Sequence, residues 1–199
     1  MARGKLIVLY GTNNLGKSTQ AKLLVKKLNQ TGVSAEYLKY PIYNSDPTGP
    51  KLNDILRGGK KQSIGEVELQ SLYAQNRQNF QPELEKKLAI GVTVVAEDYT
   101  GTGLAWGVTK GAPLETLEQQ NQGLLTENLA ILLDGERFLS GKEANHLHES
   151  SDELMQRCRR VHLDLAKKFG WKIVEANQPI DTVAEKIWEI IKKINPQRN

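Results

Sequence analysis

The sequence predicts an α/β fold, a five-stranded parallel sheet flanked by helices, as one domain spanning residues 1–199. Three observations carry that prediction. Strand-like and helix-like patterns alternate from end to end, the signature of a parallel sheet covered by helices. The first apolar run, "KLIVLY", reads as a strand buried on both sides. The length allows one sizeable core, and no internal repeat, low-complexity tract or linker divides it.

Each element has its own warrant. "KLIVLY" (5–10) leads into "KSTQAKLLVKKLNQ", whose Ala21, Leu24, Val25 and Leu28 share one face of a helix that Gly32 ends. "SAEYLKY" (34–40) is the second strand, closed by Pro41, and a loop rich in Pro, Gly, Ser and Asp follows it. A long helical pattern covers about 63–90, and Pro82 inside it should kink the helix or split it in two. "VTVVAE" (92–97), "NLAILLD" (128–134) and "WKIVEA" (171–176) supply the remaining strands. After Pro179 a last helix places Val183, Ile187, Ile190, Ile191 and Ile194 on one stripe.

Composition excludes several classes of function. Cys158 is the only cysteine, so no disulfide forms within the chain and a reduced, cytoplasmic setting is expected. Met1 to Gly4 lead directly into a strand without a secretory signal, and no segment approaches the ~18 apolar residues of a membrane span. A soluble protein without membrane attachment is the expectation. Net charge is +4, from 27 cationic and 23 anionic side chains. The lysines are scattered along helical faces with no aromatic-interleaved basic patch, so solvated helix faces are expected and nucleic acid is not. His146 and His148 form an H-x-H pair without cysteine or carboxylate at metal spacing, which reads as surface histidines. "GTGLAWG" (101–107) has the wrong glycine spacing and position for a dinucleotide site.

The most informative stretch is "GTNNLGKS", Gly11 to Ser18, which fits G-x-x-x-x-G-K-[ST] between a strand and a helix. Backbone N–H groups of such a loop form an anion nest, and the following helix adds its positive dipole end. Gly11, Thr12, Asn13, Asn14, Leu15, Gly16, Lys17, Ser18 and Thr19 are therefore the candidate phosphate-binding residues. Gly16 permits close approach, Lys17 brings a charge to the β- and γ-phosphates, and the Ser18 hydroxyl is placed for Mg²⁺. ATP is the expected phosphoryl donor. The competing view, a Gly- and Asn-rich turn with Lys17 and Ser18 in an ordinary first helical turn, does not account for the motif in its strand-to-helix context.

On the acceptor side, Tyr73 and Arg77 lie four apart on one helical face, where a ring and a guanidinium could stack on and hydrogen-bond a base. The same residues could be a core aromatic and a solvated arginine. Glu97 ends the third strand at the carboxyl edge of the sheet, where open α/β folds bind ligands. It could equally be a solvated strand-end acid, and Trp106 a plain core residue.

The order of elements, with "LYAQNRQNFQPEL", "VTVVAEDYTGTGLAWG" and "WKIVEANQPIDTV", resembles the thymidylate kinase family of nucleoside monophosphate kinases across nearly the whole chain. The resemblance implies a P-loop kinase fold with nucleotide substrates, catalytic Lys17 and Glu97, and Mg²⁺ held at Ser18 and near Glu97. It implies acceptor contacts from Tyr40, Tyr43, Tyr73, Arg77, Asp98 and Trp106, and an adenine loop at Ala176 and Asn177. A short lid near 135–150 and a homodimer are also implied.

Three positions depart from the family pattern. Asp98 and Tyr43 stand where the family has arginines to the acceptor phosphate, and Asn13 replaces an aspartate of the first loop. Losing an arginine from a desolvated phosphate contact costs ~2–5 kcal/mol, so ordinary thymidylate is expected to bind poorly unless Lys39, Lys110 or another cation substitutes. The lid offers Arg137 and Lys142, with Arg157, Arg159 and Arg160 on the helix after it. Three readings stay open: a kinase for dTMP or a related deoxynucleotide, a deoxynucleoside kinase using Asp98 as base, and an ATP-binding regulator without turnover.

Overall fold

The computed structural model describes residues 2–57, 64–138 and 152–194. Five strands, β1 (Leu6–Tyr10), β2 (Ala35–Lys39), β3 (Thr93–Glu97), β4 (Leu129–Asp134) and β5 (Lys172–Glu175), form one sheet in the order β2-β3-β1-β4-β5. Every pairing is parallel, with Leu9 opposite Glu97, Lys39 opposite Glu97 and Asp134 opposite Glu175. The carboxyl ends of the strands therefore line up along one edge, and the chain leaves β1 between its two neighbours, where a crevice opens.

The helices are α1 (Lys17–Gln30), α2 (Thr48–Arg57), α3 (Glu66–Ala89), α4 (Thr100–Thr109), α5 (Leu114–Gln120), α6 (Asp152–Phe169) and α7 (Ile180–Ile194). Side chains alternate across each strand, and the core follows. Ile7, Leu9, Val95, Ile131 and Leu133 meet α1 and α7 on one face through Ala21, Leu24, Leu28, Val183, Ile187 and Ile191. Leu6, Val8, Tyr10, Val94, Ala96 and Leu132 meet α3, α4 and α6 on the other through Leu84, Leu88, Leu104 and Leu165. The stripe predicted on α7 is the buried one, with Ile190 partly covered; the Ile194 side chain lies outside the described residues. Gly32, at φ 78°, takes the left-handed turn that closes α1.

Two regions differ from the sequence expectation. Helix α3 runs unbroken through Pro82 and is not split. Leu69 and Leu72 anchor the part before the proline and Leu84 and Leu88 the part after it, and that burial offsets the ~3 kcal/mol a mid-helix proline costs. The segment after Pro41, expected as a loop, contains α2: Leu52 buries against Leu69 and Leu72 of α3, with Ile55 partly covered beside them, despite Gly49 and Pro50 in its first turn. Among the described residues no helix is long and apolar enough to cross a membrane.

Candidate active site

The loop from Gly11 to Gly16 connects β1 to α1 with three residues in the left-handed region, Gly11 (φ 141°), Asn14 (φ 63°) and Gly16 (φ 77°). A β-carbon at Gly11 would lie 2.6 Å from the Leu133 carbonyl oxygen, so only glycine lets the loop pass β4. At Gly16 a β-carbon would meet nothing within 4 Å; the strand-to-helix turn is open on that side. Leu15 is buried in the core and anchors the loop from below.

Lys17, buried at 6% exposure, folds back over the loop, donating to the carbonyls of Gly11 and Thr12 at 2.9 Å each. Its ammonium lies 3.7 Å from Asp98 Oδ1. The Ser18 hydroxyl donates to Glu97 Oε2 at 2.6 Å, and the Tyr37 hydroxyl donates to the same oxygen at 2.5 Å. Lys39 pairs with the other oxygen at 3.0 Å. Burial pushes the Glu97 carboxyl up, but Lys17, the hydrogen bonds from Ser18 and Tyr37, and Lys39 together hold it below the usual carboxylate range. Asp98 goes the other way: burial raises it, repulsion from Glu97 adds to the rise, and Lys17 only partly opposes both. Its backbone is left-handed at φ 62°, a conformation that aspartate tolerates better than most residues, and Thr102 Oγ1 donates to its Oδ1 at 2.9 Å.

A cleft of about 420 Å³ opens above these groups. From the first loop and helix, Asn13, Asn14, Gly16, Lys17, Ser18 and Thr19 line it; Gly11 and Thr12 act through the carbonyls that hold Lys17. Glu97 and Asp98 face the same space. So do all of the expected acceptor residues, Tyr40, Tyr43, Tyr73, Arg77 and Trp106. Several are core residues as well. Tyr40 and Trp106 are 3% and 4% exposed, and Tyr40 packs on Tyr99 with ring centroids 5.1 Å apart. Arg77 is buried, donates from Nη1 to Asn121 Oδ1 at 2.9 Å, and is lowered by burial.

Ala176 and Asn177 do not line this cleft. Asn177 instead bridges to the loop just after β4, accepting from the Glu136 N–H at 2.5 Å and donating to the Glu136 carbonyl at 2.7 Å, while the Ala176 N–H bonds the Asp134 carbonyl at 2.7 Å. Of the two lysines that could make up for the missing arginines, Lys39 lines the cleft; Lys110 does not and pairs with Glu66 at 3.4 Å. The expected lid falls largely outside the described residues, as do Lys142, His146 and His148. At its edges Arg137 contacts Asp152, and Arg159 grips both oxygens of Asp134 at 2.7 and 2.9 Å.

Several residues at or beside the cleft escape sequence reasoning. Arg57, at the end of α2, places its guanidinium 4.7 Å from the Tyr43 ring centroid. Gln70 lines the cleft beside Tyr73, and Tyr37, outside the lining, reaches Glu97. Arg57 has no local signal because its helix reads as loop; Tyr37 could have been found from the strand alternation that sets it level with Val95, two residues before Glu97.

A family model for thymidylate kinase matches residues 9–187. The human thymidylate kinase is 32% identical over 93% of this chain and 88% of its own length. A putative thymidylate kinase of Invertebrate iridescent virus 6 is 26% identical, covering 99% of this chain and 92% of its own. A solved structure of thymidylate kinase from Candida albicans superposes with a TM-score of 0.82 at 22% identity, covering 98% of this chain and 94% of that one.

Proposed function

The chain belongs to the thymidylate kinase family, and we propose that it passes the γ-phosphoryl group of ATP to the 5′-phosphate of deoxythymidine monophosphate. The observation that carries this reading is the single cleft shared by the phosphate loop and the Tyr40, Tyr73, Arg77 and Trp106 pocket. A donor held by the first and an acceptor held by the second would meet over Lys17, Glu97 and Asp98. Such proximity, with pre-placed charge, supplies most of the rate in phosphoryl transfer.

The nucleophile is a phosphate oxygen already ionised at neutral pH, so the reaction requires no general base. Lys17 exchanges its loop carbonyls and Asp98 for the β- and γ-phosphates. Ser18 and Glu97, already in contact at 2.6 Å, present a hydroxyl and a low-pKa carboxylate. That hard-oxygen pair fits Mg²⁺, which takes its other ligands from phosphates and water. It also agrees with the finding that no cluster of three His, Cys, Asp or Glu among the described residues could hold a metal alone. When bound, the ion would neutralise charge shared by the β- and γ-phosphates. Lys39 and Arg57 take over the acceptor phosphate from the arginines absent at 98 and 43, Arg57 by stacking on Tyr43. Ala176 and Asn177 hold the adenine loop, and two copies associate as a homodimer, which sedimentation would register.

A coupled ADP-release assay over dTMP, dUMP, dCMP and thymidine tests the reading. Turnover is expected with dTMP. Turnover on thymidine with no monophosphate active would replace it by a nucleoside kinase, and ATP binding without any turnover by a regulator.

A further inference from the structure

Resting on the metal site proposed above, we propose that Tyr37 is a positioning residue for phosphoryl transfer: its hydroxyl fixes Glu97 beside Ser18, so that the carboxylate stays there once the lysines around it turn to phosphates. Tyr37 lies on β2 level with Val95, and Lys39 lies level with Glu97. Alternation puts Tyr37 and Lys39 on one face of the strand and makes Glu97 the diagonal neighbour of Tyr37, within reach of a long aromatic side chain. The ring is partly buried against the core that α1 covers, with the Lys22 ammonium 5.6 Å from its centroid. Ser18 stands one turn before Lys22 on α1. Strand and helix together therefore hold the phenol hydroxyl where Ser18 and Glu97 meet.

The Tyr37 and Ser18 hydroxyls both donate to Glu97 Oε2, at 2.5 and 2.6 Å, and Lys39 pairs with Oε1 at 3.0 Å. A carboxylate oxygen has two lone pairs, so these two donors fill Oε2 and leave the spare capacity on Oε1. The terminal torsion of a glutamate is broad and nearly two-fold, and one donor alone would not hold that orientation. The partners differ in what else they do. In the proposed reaction Lys17 and Lys39 go to the donor and acceptor phosphates, and the Ser18 oxygen is assigned to Mg²⁺. Tyr37 lies outside the cleft lining, so no nucleotide competes for it. Of these four partners, Tyr37 alone has no second task. Glu97 is 4% exposed, and a buried carboxylate whose cations are drawn away depends on the hydrogen bonds that remain.

Calorimetric titration of the full chain with ATP, with Mg²⁺ present and with Mg²⁺ removed by a chelator, tests this for the unsubstituted protein, Tyr37→Phe, Glu97→Gln and the double variant. Phenylalanine keeps the ring and removes only the donor, so the unfolding midpoint should hold. Tyr37→Phe should weaken binding of ATP with Mg²⁺ roughly 5- to 50-fold, the loss of one hydrogen bond to a charged group, and leave binding of ATP without Mg²⁺ unchanged. In the Glu97→Gln background the same change should cost little further, because Tyr37 acts through that carboxylate. Unchanged affinity in Tyr37→Phe, a loss equal with and without Mg²⁺, or a loss that adds in full to that of Glu97→Gln would make Tyr37 a packing residue and overturn this inference alone. If the unsubstituted protein bound ATP no more tightly with Mg²⁺ than without it, the metal reading would fall and this inference with it.

Discussion

Replacing Asp98 by asparagine removes one charge from the centre of the cleft and almost nothing else. Asparagine is nearly isosteric, accepts the φ of 62° that most residues resist, and keeps an oxygen for the Thr102 hydroxyl. Without nucleotide, Asp98 lies 3.7 Å from the Lys17 ammonium, and at an effective dielectric constant of about 20 that separation is worth about 4 kcal/mol. The working value is smaller. The Asp98 side chain is 18% exposed and the pair is longer than a hydrogen bond, while Lys17 keeps two carbonyl partners; about 1–2 kcal/mol is a fair allowance. Asp98 competes with the phosphates for Lys17 and repels them, so the asparagine variant should bind MgATP and dTMP five- to thirty-fold more tightly. Calorimetric titration of each nucleotide, with kcat measured in parallel, decides the matter. A kcat reduced a hundredfold or more at unchanged affinity would mean that the carboxylate takes part in proton transfer, and the assignment of a base-free phosphoryl transfer would be wrong.

Other residues give independent checks. Arg57→Gln should raise the KM for dTMP roughly 10- to 100-fold, the loss of one charged phosphate contact, while thymidine binds as before; equal weakening of both in a binding titration would show that Arg57 does not meet the phosphate. His162 is buried at 1% exposure and burial lowers it to about 4, against the opposing hydrogen bond to the Cys158 carbonyl. The folded protein then holds fewer protons than the unfolded chain between about pH 4 and 6.5, so stability is fully present above 6.5 and falls by roughly 3 kcal/mol as pH drops to 4. Urea unfolding across that range should show this slope flattened in His162→Gln, and parallel curves would refute it. Gly101→Ala would bring a β-carbon within 2.5 and 2.6 Å of the Trp171 ring and 2.9 Å of Tyr10, two rings stacked at 4.3 Å. The overpacking costs roughly 1–3 kcal/mol, more than the helix propensity gained, and an unfolding midpoint equal to or above that of the unsubstituted protein would contradict it.

The strands and the phosphate loop were legible in the sequence because each rests on local signals. A short continuous apolar run such as Leu6–Tyr10 reads as a strand buried on both faces, and Gly11, Gly16, Lys17 and Ser18 fall within one eight-residue stretch of the chain. Tyr73 and Arg77, four apart on one helix, share a face by spacing alone, but the family resemblance was needed to prefer a site over a core aromatic and a solvated arginine; both line the cleft, as does Glu97 at its strand end. What stayed hidden depends on contacts between distant segments. Helix α2 carries Gly49 and Pro50, and the packing of Leu52 and Ile55 on α3 is what favours a helix there; with it went Arg57. Helix α4 is diluted by Gly101, Gly103 and Gly107, which are there because neighbouring side chains come within 3 Å of where a β-carbon would stand.

The central claim is that one cleft holds a triphosphate donor at Lys17 and a nucleoside monophosphate beside Tyr73 and Arg77. Transfer of radiolabel from γ-labelled ATP, with products separated by chromatography, measures it most directly. The account predicts label in deoxythymidine diphosphate, dependent on Mg²⁺ and lost in Lys17→Ala. Label appearing only as inorganic phosphate, or transfer undiminished in Lys17→Ala, would contradict it.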